Sequence, residues 1–160
     1  MNLTIRPIQP NDNEKIAKVI REALEDFNAN KPGTVYFDPT TDDLFTLFET
    51  PKSIYFIALL NNKIVGGCGI YPTKNLPDGY AELVKIYLHK TVRGKGIGKA
   101  LMQKCFEEAK KMSYQYLYLE SMPELNVAVG MYQKMGFRFI DKPLGNSGHF
   151  GCNIWMVKKL

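Results

Sequence analysis

Apolar residues alternate between two spacings along this chain, and the alternation predicts the elements in order. Leu3 to Pro7 has the short in-out pattern of a first strand. Asn11 followed three residues later by Glu14 reads as a capping box, and Ile16, Val19, Ile20, Ala23, Leu24 and Phe27 then recur at helical spacing. Residues 28 to 39 read as loop, after which Thr40 and Asp43 predict a cap for a short helix carrying Leu44, Leu47 and Phe48. Ile54 to Leu60 and Ile64 to Tyr71 flank an Asn-Asn-Lys connection that tolerates the positive φ of a tight hairpin. Tyr80 to Leu88 is a further strand. It leads through Arg-Gly-Lys-Gly-Ile-Gly (93 to 98) into a helical stripe of Ile97, Leu101, Met102, Cys105, Phe106, Ala109 and Met112. Gln115 to Glu120 continues as strand, Ser121 is placed to cap a helix that Gly136 ends, and Phe137 to Asp141 and Asn153 to Lys158 supply two last strands. The order β-α-α-β-β-β-α-β-α-β-β describes an α+β layered protein with one mixed sheet.

Composition narrows what such a fold can be. At 160 residues with 45% hydrophobic content, the chain reads as one domain (1-160). It buries roughly 70% of its unfolded surface without disulfides or a structural metal. No apolar run approaches the roughly 18 residues of a membrane span. The N-terminus has neither a basic region nor an apolar leader, so a cytoplasmic location without membrane partners is expected. Cys68, Cys105 and Cys152 are odd in number and set among apolar residues, which predicts buried free thiols. With only His89 and His149 present, no spacing suggests a metal cage or a Cys-His nucleophile, so no metal site is expected.

The net charge of +5 is unevenly placed: residues 83 to 111 carry 8 basic and 2 acidic groups, whereas 1 to 82 carry 8 and 11. Arg93, Lys95 and Lys99 stand among glycines, which points to a small polyanion. The unpaired N–H groups at a helix start suit phosphate oxygens. A Walker A loop would need Gly at 99, where Lys stands, and Gly-x-Gly-x-x-Gly fails at the same position. Nucleic acid is not an expected partner, because basic and aromatic residues do not interleave there.

The sequence Arg93-x-x-Gly96-x-Gly98 resembles the acetyl-coenzyme A signature of the GCN5-related N-acetyltransferase (GNAT) superfamily. Upstream, Tyr-Ala-Glu-Leu-Val (80 to 84) is similar to that family's central strand. The interval from Glu82 to Arg93 resembles the spacing between general base and pyrophosphate loop in its histone-acetylating members. Downstream, Ala128, Tyr132, Gly136 and Phe137 match its later Ala-x-x-x-Tyr-x-x-x-Gly-Phe pattern. The resemblance implies a GNAT-like acyl-CoA N-acyltransferase fold, with a mixed sheet of about seven strands and helices on both faces. Its fourth and fifth strands would splay to admit the pantetheine arm of acetyl-CoA.

On that resemblance, Ile86 and Leu88 would offer backbone groups to the arm, and Arg93, Gly94, Lys95, Gly96, Gly98 and Lys99 would surround the pyrophosphate. Many members place an Asn seven residues before the helix Tyr. Here that position is Leu125, and Asn126, one step late, is kept as a cofactor candidate.

An amine with a pKa near roughly 10 must lose a proton before it can attack a thioester. Glu82 is the candidate base and Tyr132 the candidate acid for the leaving thiolate. Glu120, His89 and His149 stand in reserve, with His149 read as an ordinary loop residue. The expected activity is direct acetyl transfer to an amine in a ternary complex. The alternative is an acyl-CoA-sensing module without catalysis. Acceptor specificity is expected in residues 27 to 48 and 144 to 150, and exposed end strands could pair two copies into a homodimer.

Overall fold

The computed structural model describes residues 2–160. Its seven strands form one mixed sheet in the order β1-β2-β3-β4-β5-β7-β6. They are β1 (Leu3–Pro7), β2 (Ile54–Leu60), β3 (Lys63–Tyr71), β4 (Tyr80–Leu88), β5 (Tyr116–Ser121), β6 (Arg138–Ile140) and β7 (Ile154–Lys159). Helices α1 (Asn13–Asp26) and α2 (Leu44–Leu47) cover one face, with Ile16, Ile20, Leu24 and Leu44 packed against Tyr55 and Ile57. On the opposite face, α3 (Ile97–Lys111) and α4 (Asn126–Lys134) bring Leu101, Met102, Cys105 and Tyr132 against Ile70, Leu83, Leu117 and Leu119. The alternation of side chains along each strand thus feeds two cores, one per face. No described helix is long and apolar enough to cross a membrane.

Element order agrees with the sequence pattern, and two caps do not. The N-cap of α1 is Asp12 rather than Asn11, and the box pairing Gln9 with Asp12 belongs to the 3-10 turn Pro10–Asp12 before it. Asp12 accepts the Gln9 N–H at 2.7 Å and the Arg6 guanidinium at 2.7 and 3.0 Å, so the ion pair with β1 fixes where the chain turns. Ser121 does not cap α4. It is the last residue of β5, and a 3-10 turn over Pro123–Leu125 intervenes. By contrast Asp43 does cap α2, accepting the Thr46 N–H at 3.2 Å, while Thr40 lies in a preceding 3-10 turn. All three cysteines are free; Cys68 and Cys105 are buried and Cys152 is half-buried.

The central strands carry the irregularities that matter. β4 and β5 run parallel but pair over only three positions, Tyr80 with Tyr116, Ala81 with Leu117 and Glu82 with Tyr118. Beyond Glu82 the two strands diverge. On its other edge β4 is bulged. Gly67 pairs with Tyr87 and Gly69 with Val84, so Lys85 and Ile86 together face Cys68. Lys85 takes a left-handed φ of 53°, a conformation that costs a non-glycine residue on the order of 1 kcal/mol and needs support. Tyr55 supplies it. Its ring crosses β3 over Gly67 and Gly69, and its hydroxyl donates to the Lys85 carbonyl at 2.7 Å. A Cβ on Gly67 would lie 2.4 Å from the Tyr55 ring and 2.8 Å from the Phe56 carbonyl.

Gly67→Ala is therefore expected to lower unfolding stability by about 2 kcal/mol or more, and Tyr55→Phe by about 1 kcal/mol. Urea titration checks both values.

Candidate active site

Divergence of β4 from β5 opens a cleft floored by apolar side chains. Its walls are Leu83 and Lys85 to Leu88 on one side and Leu119 to Ser121 on the other, closed by Ala128, Met131 and Tyr132 of α4. Ile86 and Leu88 both line it, as do Arg93, Gly94 and Gly98 at the mouth. A second cavity opens beside it, lined by Asp38, Phe48, Tyr71, Thr73, Glu82, Ser147 and His149. Lys85 is a wall of both cavities.

The glycine turn is an open loop of unpaired main-chain N–H groups. Gly94 and Gly96 adopt φ of 76° and 81°, and a Cβ on either would meet nothing within 4 Å, so the turn is open toward the cleft mouth. The first main-chain bond of the turn runs from the Ala100 N–H to the Gly96 carbonyl at 3.1 Å. Among the described residues, the N–H groups from Arg93 to Lys99 have no main-chain acceptor. Free donors at the positive end of a fifteen-residue helix fit a diphosphate.

The Arg93 side chain is occupied elsewhere. It donates to the Leu88 carbonyl at 3.0 and 3.2 Å and to Asp26 of α1 at 3.1 Å, and lies 4.6 Å from the Phe27 ring centre. What it offers an anion is its main chain. Asn126 is exposed at the start of α4 and does not line the cleft, whereas its neighbours Leu125 and Val127 do.

Glu82 ends the paired segment of β4 and is buried, with 4% exposure. Burial pushes its carboxyl up to about 7, against the Thr73 hydroxyl, which donates to Oε1 at 2.5 Å and favours the charged form; nearby Glu120 adds to the rise. Near neutrality Glu82 is thus poised to take a proton.

Tyr132 is 5% exposed, with its ring edge-on to Phe137 at 6.1 Å. Burial raises its hydroxyl well above the ordinary tyrosine value, so it keeps its proton.

Several residues reach the site without any local sequence signal. His149 is not an ordinary loop residue: its Nε2 bonds Asp38 Oδ2 at 2.7 Å and its Nδ1 stands 3.9 Å from Glu120 Oε1. Lys85 Nζ lies 3.7 Å from the same Asp38 oxygen, with 6% of its side chain exposed. Burial would raise the Asp38 carboxyl, but the His149 bond, the His149 charge and Lys85 more than offset this and hold it below the usual range. Burial lowers Lys85, opposed by Asp38 and Glu82. The two loops expected to set specificity do meet. Besides the Asp38–His149 bond, the Gly151 N–H donates to the Gly33 carbonyl at 2.9 Å. His89 stays outside this cluster, bonding Thr91 at 2.8 Å.

The model of the acetyltransferase (GNAT) family matches residues 17–137. The chain belongs to the GNAT family. It is 34% identical over 158 residues to the uncharacterized N-acetyltransferase YjgM of Escherichia coli (strain K12), covering 98% of this chain and 94% of that protein. A GNAT-family acetyltransferase from Staphylococcus aureus Mu50 shares the fold at a TM-score of 0.84, with 21% identity and 99% of each chain covered. The phosphinothricin acetyltransferase of Sinorhizobium meliloti, solved in complex with AcCoA, aligns at 0.78 with 20% identity, over 100% of this chain and 89% of that one. This GNAT protein is an acyltransferase, with acetyl-CoA as the acetyl donor.

The Glu82 shift links protonation to stability. Its folded value of about 7 lies above the ordinary 4.5, so the fold resists the charged form. The stability tied to the neutral carboxyl is fully present below pH 4.5 and is lost as pH rises through about 7. Glu82→Gln is expected to be up to about 3 kcal/mol more stable than the parent at pH 8 and nearly equal to it at pH 4.5. Thermal unfolding at the two pH values measures the difference.

Proposed function

We propose that this GNAT protein transfers acetyl from acetyl-CoA to an amine by direct attack within a ternary complex. The observation that carries the reading is the position of Glu82. It sits at the vertex where β4 and β5 part, between a donor-sized cleft ending in free main-chain amides and a separate polar cavity. A thioester fed along the first cavity meets an amine held in the second at this vertex. No covalent enzyme intermediate is required.

In this reading the N–H groups of the turn from Arg93 to Lys99 hold the diphosphate, with the Lys95 and Lys99 ammonium groups adding charge. The β4 backbone from Ile86 to Leu88 lines the pantetheine arm. Asn126, exposed and outside the cleft lining, takes no part. Glu82 accepts a proton from the acceptor ammonium, and the freed lone pair forms the new C–N bond at the thioester carbonyl. The oxygen of the tetrahedral intermediate bears the negative charge, and a main-chain N–H at the Lys85–Ile86 bulge is the donor best placed to meet it. As the C–S bond breaks, Tyr132 donates a hydrogen bond to the sulfur. A thiol with a pKa of roughly 8.5 is more acidic than a buried tyrosine. Tyr132 therefore stabilises the departing thiolate, and the proton that the sulfur finally takes comes from the attacking nitrogen or solvent.

Calorimetry and a thiol-release screen over a broad amine panel test the assignment. Acetyl-CoA binding at 1:1 with thiol release for at least one amine is the expected result. Binding with no release across the panel would instead identify an acyl-CoA sensor.

With an amine so found, Tyr132→Phe is expected to lower kcat by about tenfold to a hundredfold, leaving acetyl-CoA affinity within a few-fold. The rate at limiting acceptor should rise with pH through about 7, and Glu82→Gln should remove that inflection. A stopped assay over roughly pH 5 to 9, about two units on either side of the Glu82 value, records both.

A further inference from the structure

Among the described residues, Ser121 Oγ is the one buried side-chain polar atom without a hydrogen-bond partner, and the residue is 2% exposed. A hydroxyl left unpaired in such a place opposes folding. Its neighbours do not relieve it. The Asn153 N–H serves the Ser121 carbonyl at 3.1 Å, and the adjacent Glu120 carboxylate is taken by the Tyr118 and Ser147 hydroxyls. Ser121 is also a wall of the donor cleft. A buried donor that lacks a protein acceptor, on the wall of a ligand cleft, is placed for an acceptor atom of the ligand.

Position in the sheet distinguishes the atom. Counting on from the last β4–β5 pair, Glu82 with Tyr118, sets Ser121 level with Lys85, at the bulge whose N–H meets the thioester oxygen in the transfer reading. The face follows from the pleat. Ser121 alternates in step with Leu117 and Leu119, and its cross-strand partner Ile154 packs with them in the core under α3 and α4. Tyr132 of α4 belongs to that core and lines the same cleft. β4 thus serves the oxygen of the thioester, while Ser121 and Tyr132 share the α4 side, where the sulfur departs.

We propose that Ser121 is a further catalytic residue, a second hydroxyl donor to the coenzyme A sulfur that shares the departing thiolate with Tyr132. Its part in turnover rests on the reading of direct transfer to an amine; its contact with the sulfur needs only the donor to bind. As the C–S bond breaks, the electron pair passes to sulfur, and the weak acceptor of the thioester becomes an anion that accepts several hydrogen bonds. The Ser121 bond therefore strengthens in the transition state. Ser121 keeps its own proton, because an aliphatic hydroxyl is far less acidic than a thiol. The proton that neutralises the sulfur comes from the attacking nitrogen or solvent, as it does beside Tyr132.

The test saturates the full chain with coenzyme A and titrates the bound thiol through its ultraviolet thiolate band, in the parent, Ser121→Ala and Ser121→Gly. A donor to the sulfur favours the charged form, so at a fixed pH the thiolate-to-thiol ratio is expected to fall about tenfold in either variant. Acetyl-CoA affinity should stay within a few-fold, and kcat with a competent amine should fall about tenfold. Without ligand, Ser121→Ala should unfold at the parent's temperature or above it, since it deletes an unpaired group. An unmoved ratio overturns the proposal. If the unliganded Ser121→Ala then also loses stability, the hydroxyl is structural; if acetyl-CoA affinity falls instead, it serves an amide of the pantetheine arm. Ser121→Gly decides the matter if Ser121→Ala does not fold. A lowered ratio with no thiol release for any amine would sink the transferase reading alone, and thiol release with an unmoved ratio would sink the Ser121 assignment alone.

Discussion

Parallel pairing of β4 with β5 stops after Glu82, and the rest of the site depends on that stop. Two strands that part in mid-sheet leave main-chain groups without ladder partners, which is costly in a buried place. The divergence persists because each strand is secured on its other side. β5 is paired with β7 over six positions, from Tyr116 with Lys159 to Ser121 with Ile154. β4 stays on β3 through the bulge at Lys85 and Ile86, and Tyr55 holds that bulge from across the sheet. Gly67 and Gly69 exist in β3 because the Tyr55 ring takes the space that their side chains would fill. A glycine pair two strands away therefore shapes the cleft, by way of one aromatic ring.

Charge is partitioned to the same end. The acidic first half of the chain and the basic middle segment meet across the fold, where Asp26 takes Arg93 and Asp38 takes Lys85. These contacts use cations that a count along the sequence would assign to the ligand. They fix the Arg93 side chain against α1, so the turn is held while its N–H groups stay free. In the neighbouring cavity the same partition gives Asp38 a low pKa and leaves Glu82, which has a hydroxyl rather than a cation as partner, with a high one. Two carboxyl groups lining one cavity are thereby driven apart in role.

Local pattern carries the elements and the open glycine turn, because both are encoded within a few residues. The helical stripe starting at Ile97 and the Gly94–Gly98 spacing are examples. The catalytic parts proposed for Glu82 and Tyr132 rest on resemblance, since a lone Glu on a strand and a Tyr on a helix have common structural roles. The errors arose where a distant residue decides the local outcome. Arg6 draws Asp12 into the cap that local pattern assigns to Asn11, and pairing with β7 keeps Ser121 in its strand. Asp38 and His149 lie 111 positions apart, and two irregular loops must pack before they meet. No periodicity records such a contact. Asn126 is exposed and absent from the cleft lining, although its neighbours Leu125 and Val127 belong to it.

The costs of the arrangement gather at one place. Lys85 holds a left-handed φ, Glu82 a carboxyl that the fold resists ionising, and Ser121 a buried hydroxyl without a protein partner among the described residues. Each is worth on the order of 1–3 kcal/mol against the folded state. All three lie along the walls of the two cavities, while the cores on both faces of the sheet are filled by apolar residues. Local rules of stability are broken where β4 and β5 part and kept in the packed layers that support them, the distribution expected when strain serves a site rather than reflecting poor packing.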